Sequence, residues 1–308
     1  MAHHGIHHVT AIAGPARRNM DFYTRVLGLR LVKKTVNFDD PGTYHFYYGD
    51  ESGEPGSILT FFPWEHVAPG RAGVGSTQET SFCVPEASIG FWAHRLLEKG
   101  VAHQAPEKRF GQSVLAFKDP DGMNLALVGI ADAEGAAPWA SDVPTDAAIR
   151  GLNGVTLLVE DAERTGAILT DVFGFRETSR DGSLIRYSGD AAIGGTVDIR
   201  SAKGFLPGRQ GGGSVHHVAF RAADDAAQDA MVRRLAEHHG IRTTEQRDRN
   251  YFRSVYFREP GGILFEIATD EPGFTADEPR ERLGQDLKLP PFLEQRRSEI
   301  ETVLPALA

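Results

Sequence analysis

The 308-residue chain carries 33 Lys and Arg against 42 Asp and Glu, a net charge of −9 at pH 7. That balance excludes a nucleic-acid scaffold and a binder of anionic membranes, and no basic run interleaved with aromatics occurs. Apolar residues at 41% and charged residues at 24% are ordinary for a globular protein, and the length predicts two domains or four small modules paired into two.

The N-terminus has no apolar signal region, and no stretch approaches membrane-spanning length, so a soluble cytoplasmic protein is expected. His3 and His4 read as an exposed terminus of incidental origin. The single cysteine, Cys83, sits in the apolar run "SFCVP" and reads as a small buried hydrophobe rather than a nucleophile.

The first predicted strand, "GIHHVTAI" at 5–12, contains His7 and His8. A regular strand alternates its side chains, so the two histidines should point to opposite faces. A helix follows, with Met20, Phe22, Tyr23, Val26 and Leu27 at helical spacing and Gly28 as its stop. "TYHFYYGD" and "GSILTFFPW" then read as two strands around the glycine-rich turn "ESGEPG".

The same order recurs three times, led by "ETSFCVP", "LNGVTLLVED" and "VHHVAFRAADD". Each unit is βαβββ, and the expected spans are about 5–64, 77–130, 150–201 and 214–270. One such unit leaves a sheet face uncovered, so units must pair. The Ala-, Pro- and Asp-rich stretch at 131–146 divides an N-terminal half (1–135) from a C-terminal half (147–272), with 136–146 as linker. A tail follows at 273–308, where Leu293, Ile300 and Leu304 have helix-like spacing. It is expected to pack on the body and to reach towards the entrance of any site.

Comparing the units locates the chemistry. Where the first has His7-His8, the second has Gln78-Glu79, the third Asn153-Gly154 and the fourth His216-His217. On the last strands, "PGGILFE" of the fourth unit ends in Glu266, and the matching slots hold Phe61, Ala126 and Asp198. Glu266 follows two apolar residues, and burying an unpaired carboxylate is costly unless a cation neutralises it. Two imidazoles and one carboxylate are the donors of a non-haem Fe(II) site, which leaves positions open for substrate and oxygen. A lone strand histidine is more often a hydrogen-bonded core residue. The doublet His238-His239 is explained by helix capping before Gly240. The recurrence of a doublet at one repeat position, facing Glu266, favours a metal.

These motifs, with "VKKTVNFDDP", "RDRNYF", "VYFREPGG" and the tail "RLGQDLKLPP", resemble the vicinal oxygen chelate superfamily. More narrowly they resemble its ring-cleaving dioxygenases that act on hydroquinones. The resemblance implies an α+β fold in which modules 1 and 4, and modules 2 and 3, pair into two cupped, barrel-like sheets. It implies that the second histidine of each doublet is the ligand, so that His8, His217 and Glu266 hold the metal. That metal is expected to be Fe(II), with Mn(II) and Zn(II) as the other candidates.

Glu79, Ala126, Gly154 and Asp198 of the other pair make no metal set, so their cavity is expected to be structural. Phe61 at the fourth slot argues against a glyoxalase-type isomerase, which tends to use four ligands including two carboxylates. His7, Arg249 and Tyr256 are the catalytic residues carried over. A guanidinium can stabilise a phenolate and a phenol can deliver a proton, whereas alternation turns His7 away from the metal's face. Phe46, Phe61, Phe252 and Phe257 are candidates for either an aromatic pocket or the core.

The expected partners are a small aromatic diol and O2, with no nucleic acid and no membrane, and a homo-oligomer is left open. The competing functions are a metal-dependent glyoxalase or thiol transferase, and a protein that sequesters small molecules.

Overall fold

The computed structural model describes residues 4–131, 138–139 and 141–307; His3 and linker positions 132–137 and 140 lie outside them. The first module runs β1 (Ile6–Ala13), α1 (Ala16–Asp21), β2 (Arg30–Asn37), β3 (Asp40–Gly49) and β4 (Ile58–Pro63), with α1 continuing as a wider π turn over Phe22–Val26. The second runs β5 (Ser76–Pro85), α2 (Ile89–Glu98), β6 (Glu107–Arg109), β7 (Gln112–Lys118) and β8 (Asn124–Ile130). The third runs β9 (Gly151–Val159), α3 (Ala162–Asp171), β10 (Arg176–Asp181), β11 (Leu184–Ser188) and β12 (Thr196–Ser201). The fourth runs β13 (Ser214–Ala222), α4 (Asp225–His239), β14 (Arg247–Asp248), β15 (Arg253–Arg258) and β16 (Leu264–Thr269).

The repeat is punctuated by the same chemistry each time. Gly28, Gly100, Gly174 and Gly240, just past the helices, all have φ between 65° and 72°, a region that admits glycine without a Cβ clash. Asp161 and Asp224 cap α3 and α4 by accepting hydrogen bonds from the amides of Glu163 and Ala227.

Two eight-stranded sheets result. One has the order β14-β15-β16-β13-β1-β4-β3-β2 and the other β10-β11-β12-β9-β5-β8-β7-β6. Module 1 therefore joins module 4 through the antiparallel β1–β13 pair, and module 2 joins module 3 through β5–β9. Each sheet takes one module from either half of the chain.

Both seams carry paired bulges. Ile6 faces Phe220 while His8 faces Ala219, so His7 is the extra residue; Thr10 faces His217 while Ala11 faces Val215, so His216 is the other. The β5–β9 seam repeats this with Gln78 and Asn153 extra. The bulge belongs to the fold, and the histidines exploit it.

Phe46, Phe61 and Phe257 belong to the main core, where the Phe61 ring lies 4.5 Å from that of Tyr23. Cys83 is buried, and burial pushes its thiol up to about 12, which suits packing and not nucleophilic work. The tail packs on β2 through Leu289, Leu293 and Ile300 around Val36 and ends in α5 (Arg297–Val303). No helix among the described residues is long and apolar enough to cross a membrane.

Candidate metal centre

His8, His217 and Glu266 come together at the centre of the first sheet, on β1, β13 and β16, and all three are buried. His217 Nε2 lies 2.9 Å and His8 Nε2 3.5 Å from Glu266 Oε2, and the two imidazole nitrogens are 3.4 Å apart. An ion about 2.1 Å from each donor would hold neighbouring donors about 3 Å apart, which is the spacing present. Ser254 Oγ donates to Glu266 Oε1, yet buried Oε2 has no aligned hydrogen-bond donor. An unmatched carboxylate oxygen between two imidazole nitrogens suits a cation.

The residue before each histidine settles its orientation. His7 Nδ1 lies 2.9 Å from His8 Nδ1, and His216 Nδ1 lies 2.8 Å from His217 Nδ1. With Nε2 left as a lone pair for a metal, His8 and His217 each carry the proton on Nδ1 and donate it to the neighbour. Burial holds His7 well below the usual imidazole range, and burial together with His217 lowers His216 to about 4, so both stay neutral acceptors. His7 does not line the cavity above His8, His217 and Glu266; it faces a small pocket of about 160 Å³ behind Phe252.

A cavity of about 350 Å³ opens over the three converging side chains. Arg249 and Tyr256 line it: Arg249 Nε donates to Tyr256 Oη at 3.3 Å, and its Nη2 pairs with Asp39 at 3.2 Å. Burial, reinforced by the charge of Glu266, raises the Tyr256 phenol above its ordinary range, so it stays protonated. Of the four phenylalanines singled out in the sequence only Phe252 reaches this cavity; Phe46, Phe61 and Phe257 face the core, and Phe62, Phe38 and Trp64 line it instead. The tail touches the rim where Phe292 rests edge-on against Phe38 at 5.9 Å.

Strand register corrects the fourth slot. Glu266 pairs with Ala219, two residues beyond His217, and Thr60 pairs with Thr10, two residues beyond His8. The counterpart of Glu266 is therefore Thr60 and not Phe61, which faces the core. Matching "PGSILTF" to "PGGILFE" on their common residues slips the register by one and turns the side chain to the other face. The slot still holds no carboxylate.

The same relation reveals residues that the sequence comparison missed. Tyr47 pairs with Thr60 as Tyr256 pairs with Glu266, which makes His45 the counterpart of Ser254. Thr60 Oγ1 donates to Thr10 Oγ1 at 2.9 Å, His45 Nε2 lies 2.9 Å from Thr60 Oγ1, and Tyr47 Oη lies 2.9 Å from His45 Nδ1. The alternation in "YHFYY", with His45 and Tyr47 on one face and Phe46 on the other, is the signal that carried them.

A model of the Glyoxalase/Bleomycin resistance protein/Dioxygenase superfamily matches residues 5–127 and 151–267. The chain belongs to that superfamily. Within it, the "Putative ring-cleaving dioxygenase MhqO" of Bacillus subtilis (strain 168) is 46% identical over 297 residues, spanning 96% of this chain and 94% of the relative. The "Chlorohydroquinone/hydroquinone 1,2-dioxygenase" of Sphingobium indicum is 34% identical over 304 residues, spanning 96% and 94%. A crystal structure from Bacillus subtilis superposes with a TM-score of 0.95 at 44% identity, over 99% of this chain and 98% of the other. Maize glyoxalase I, at 16% identity and a TM-score of 0.64 over 86% and 92%, shares the fold.

The second sheet of this superfamily member holds guanidinium groups where the first gathers metal donors. Asp198, the register counterpart of Glu266, takes a bidentate hydrogen bond from Arg186 at 2.8 Å per oxygen. Glu79, at the position of His8 and His217, is paired with Arg109. Both carboxylates are already neutralised by side chains.

Proposed function

We propose that this superfamily member is a metal-dependent, ring-cleaving dioxygenase of extradiol type. Its substrate is an aromatic diol, a hydroquinone in particular, and its metal is Fe(II). The observation that carries this reading is the convergence of His8, His217 and Glu266 beneath a one-ring cavity whose fourth protein slot is Thr60. One relative named for ring cleavage supports the reaction class, and one named for hydroquinones supports the substrate.

Bound at this donor set, Fe(II) would supply the redox chemistry through which dioxygen reacts with an aromatic ring. The remaining work falls to the chain. A cavity of about 350 Å³ suits one substituted ring, with Phe252, Phe62 and Trp64 as apolar walls. The Arg249 guanidinium offers a fixed positive charge to a phenolate oxygen. Because Tyr256 Oη accepts from Arg249, its own proton is free to turn into the cavity as an acid. On the other side Thr10 accepts from Thr60, which leaves the Thr10 hydroxyl proton free for a substrate oxygen.

The test is oxygen consumption. Fe(II)-loaded protein, mixed anaerobically with a panel of hydroquinones and catechols, is expected to take up O2 and release ring-opened product when air is admitted. His217→Ala is expected to abolish uptake. Absence of uptake across the panel by the parent protein refutes the proposal.

A further inference from the structure

Lys33 lies within "VKKTVNFDDP", and the site chemistry leaves it unused. Its side chain is fully buried on β2. A buried ammonium persists only when paired, and here both partners come from the tail. Nζ lies 2.5 Å from Asp277 Oδ1 and donates also to Glu278 Oε2. It sits 4.8 Å from the centre of the Tyr251 ring, a cation–π contact.

Asp277 passes the anchoring on. Its second oxygen accepts from Tyr251 Oη at 2.9 Å and from Asn250 Nδ2 at 3.4 Å. Those residues form the turn 249–252, closed by the Arg249 amide donating to the Phe252 carbonyl at 2.9 Å. Asn250 stands at φ 69°, a left-handed conformation that costs a non-glycine residue energy unless its surroundings impose it. The turn delivers two groups to the cavity: the Arg249 guanidinium, and the Phe252 ring at 5.0 Å from the His8 ring.

The neighbouring cations clasp the tail without touching the turn. Arg30 donates to the carbonyls of Arg280 and Leu283, and Lys34 to that of Gln285. Lys33 alone of the three connects through a carboxylate to residues 250 and 251.

We infer that Lys33 is a positioning residue: through Asp277 it locks the 249–252 turn and so holds Arg249 and Phe252 over the candidate metal centre. The placement of Arg249 as a phenolate partner rests on the ring-cleavage reading; the locking of the turn does not. Hydrogen exchange read by mass spectrometry on the metal-free full chain tests the lock. Lys33→Met and Asp277→Asn are each expected to speed exchange in peptides spanning 247–256 at least about tenfold, with β1 unchanged. Lys34→Met, which loosens the tail alone, is expected to leave 247–256 unchanged.

Asp277→Asn keeps the side-chain volume and stands in if Lys33→Met does not fold. Unchanged protection at 247–256 in Asp277→Asn overturns the inference, as does equal loosening by Lys34→Met. In oxygen-uptake assays Asp277→Asn is expected to lower kcat about tenfold in the parent and to add nothing in an Arg249→Ala background, whereas additive losses contradict coupling through Arg249. If the parent consumes no oxygen, the ring-cleavage reading fails while the exchange result still decides the lock.

Discussion

His7 Nδ1 lies 2.9 Å from His8 Nδ1, although neighbours on a regular strand point to opposite faces. The bulge at His7 makes this contact, and the bulge at His216 makes its twin. Each first histidine thereby fixes the tautomer of the second. Replacing His7 or His216 by Leu removes an acceptor from a candidate ligand histidine and is expected to weaken metal binding about 10- to 100-fold with the fold intact. Competition with a metal-chelating dye measures this; unchanged affinity in both variants assigns the first histidines to packing alone.

Glu266 Oε2 is buried without an aligned donor, so a cation should stabilise the folded chain through it. Adding the metal at about 1,000 times its dissociation constant is expected to contribute about 4 kcal/mol to the parent. Glu266→Gln should lose most of that gain. Thermal melts with and without metal read the difference, and an equal metal-induced shift in Glu266→Gln places the ion elsewhere.

Burial lowers the His217 imidazole below its usual range, against the opposing pull of Glu266, so the neutral ligand form persists at neutral pH. Glu266 is held well below the usual carboxylate range by His8 and His217, which outweigh its burial. A depressed pKa means that the metal-ready form is present at high pH and is lost as pH falls. Metal affinity is expected to be flat from pH 8 to about 6.5 and to decline below it. A steep change between pH 7 and 8 in a metal titration contradicts these directions.

Tyr256 is held protonated and its oxygen accepts from Arg249, which frees its proton for the cavity. Tyr256→Phe is expected to lower kcat about 100-fold with little change in KM, since only proton delivery is lost. Steady-state oxygen uptake separates the two constants; a rise in KM at constant kcat would make Tyr256 a binding residue.

Thr60 stands at the register position of Glu266, with its hydroxyl tied to Thr10 and His45. Thr60→Glu introduces a second carboxylate on the open side and is expected to keep the metal while lowering oxygen uptake at least about tenfold. Metal analysis beside the uptake assay checks both halves. Full activity with a carboxylate there removes the argument from an open side.

The module order, the helix stops and the meeting of His8, His217 and Glu266 were legible because each leaves a repeat in the chain: Gly28, Gly100, Gly174 and Gly240 recur, and so do the histidine doublets. Register was not. A one-residue slip between "PGSILTF" and "PGGILFE" is invisible to local matching, yet it decides whether Phe61 or Thr60 faces the candidate metal centre. Bulges were hidden for the same reason, since an extra residue in a ladder exists only relative to its partner strand. His45 and Thr10 lacked a repeated counterpart of like chemistry, and Tyr47 shows its counterpart, Tyr256, only once the register is known. Lys33 showed only as part of a motif until the tail's carboxylates were seen around it.

The most direct test of the central claim is the fate of labelled dioxygen. Fe(II)-loaded protein given hydroquinone and ¹⁸O2 is expected to yield a ring-opened product carrying both oxygen atoms of one molecule, apart from any lost to exchange with water. His217→Ala should give none. Product that is merely the oxidised quinone, or substrate returned unlabelled and intact, contradicts the account.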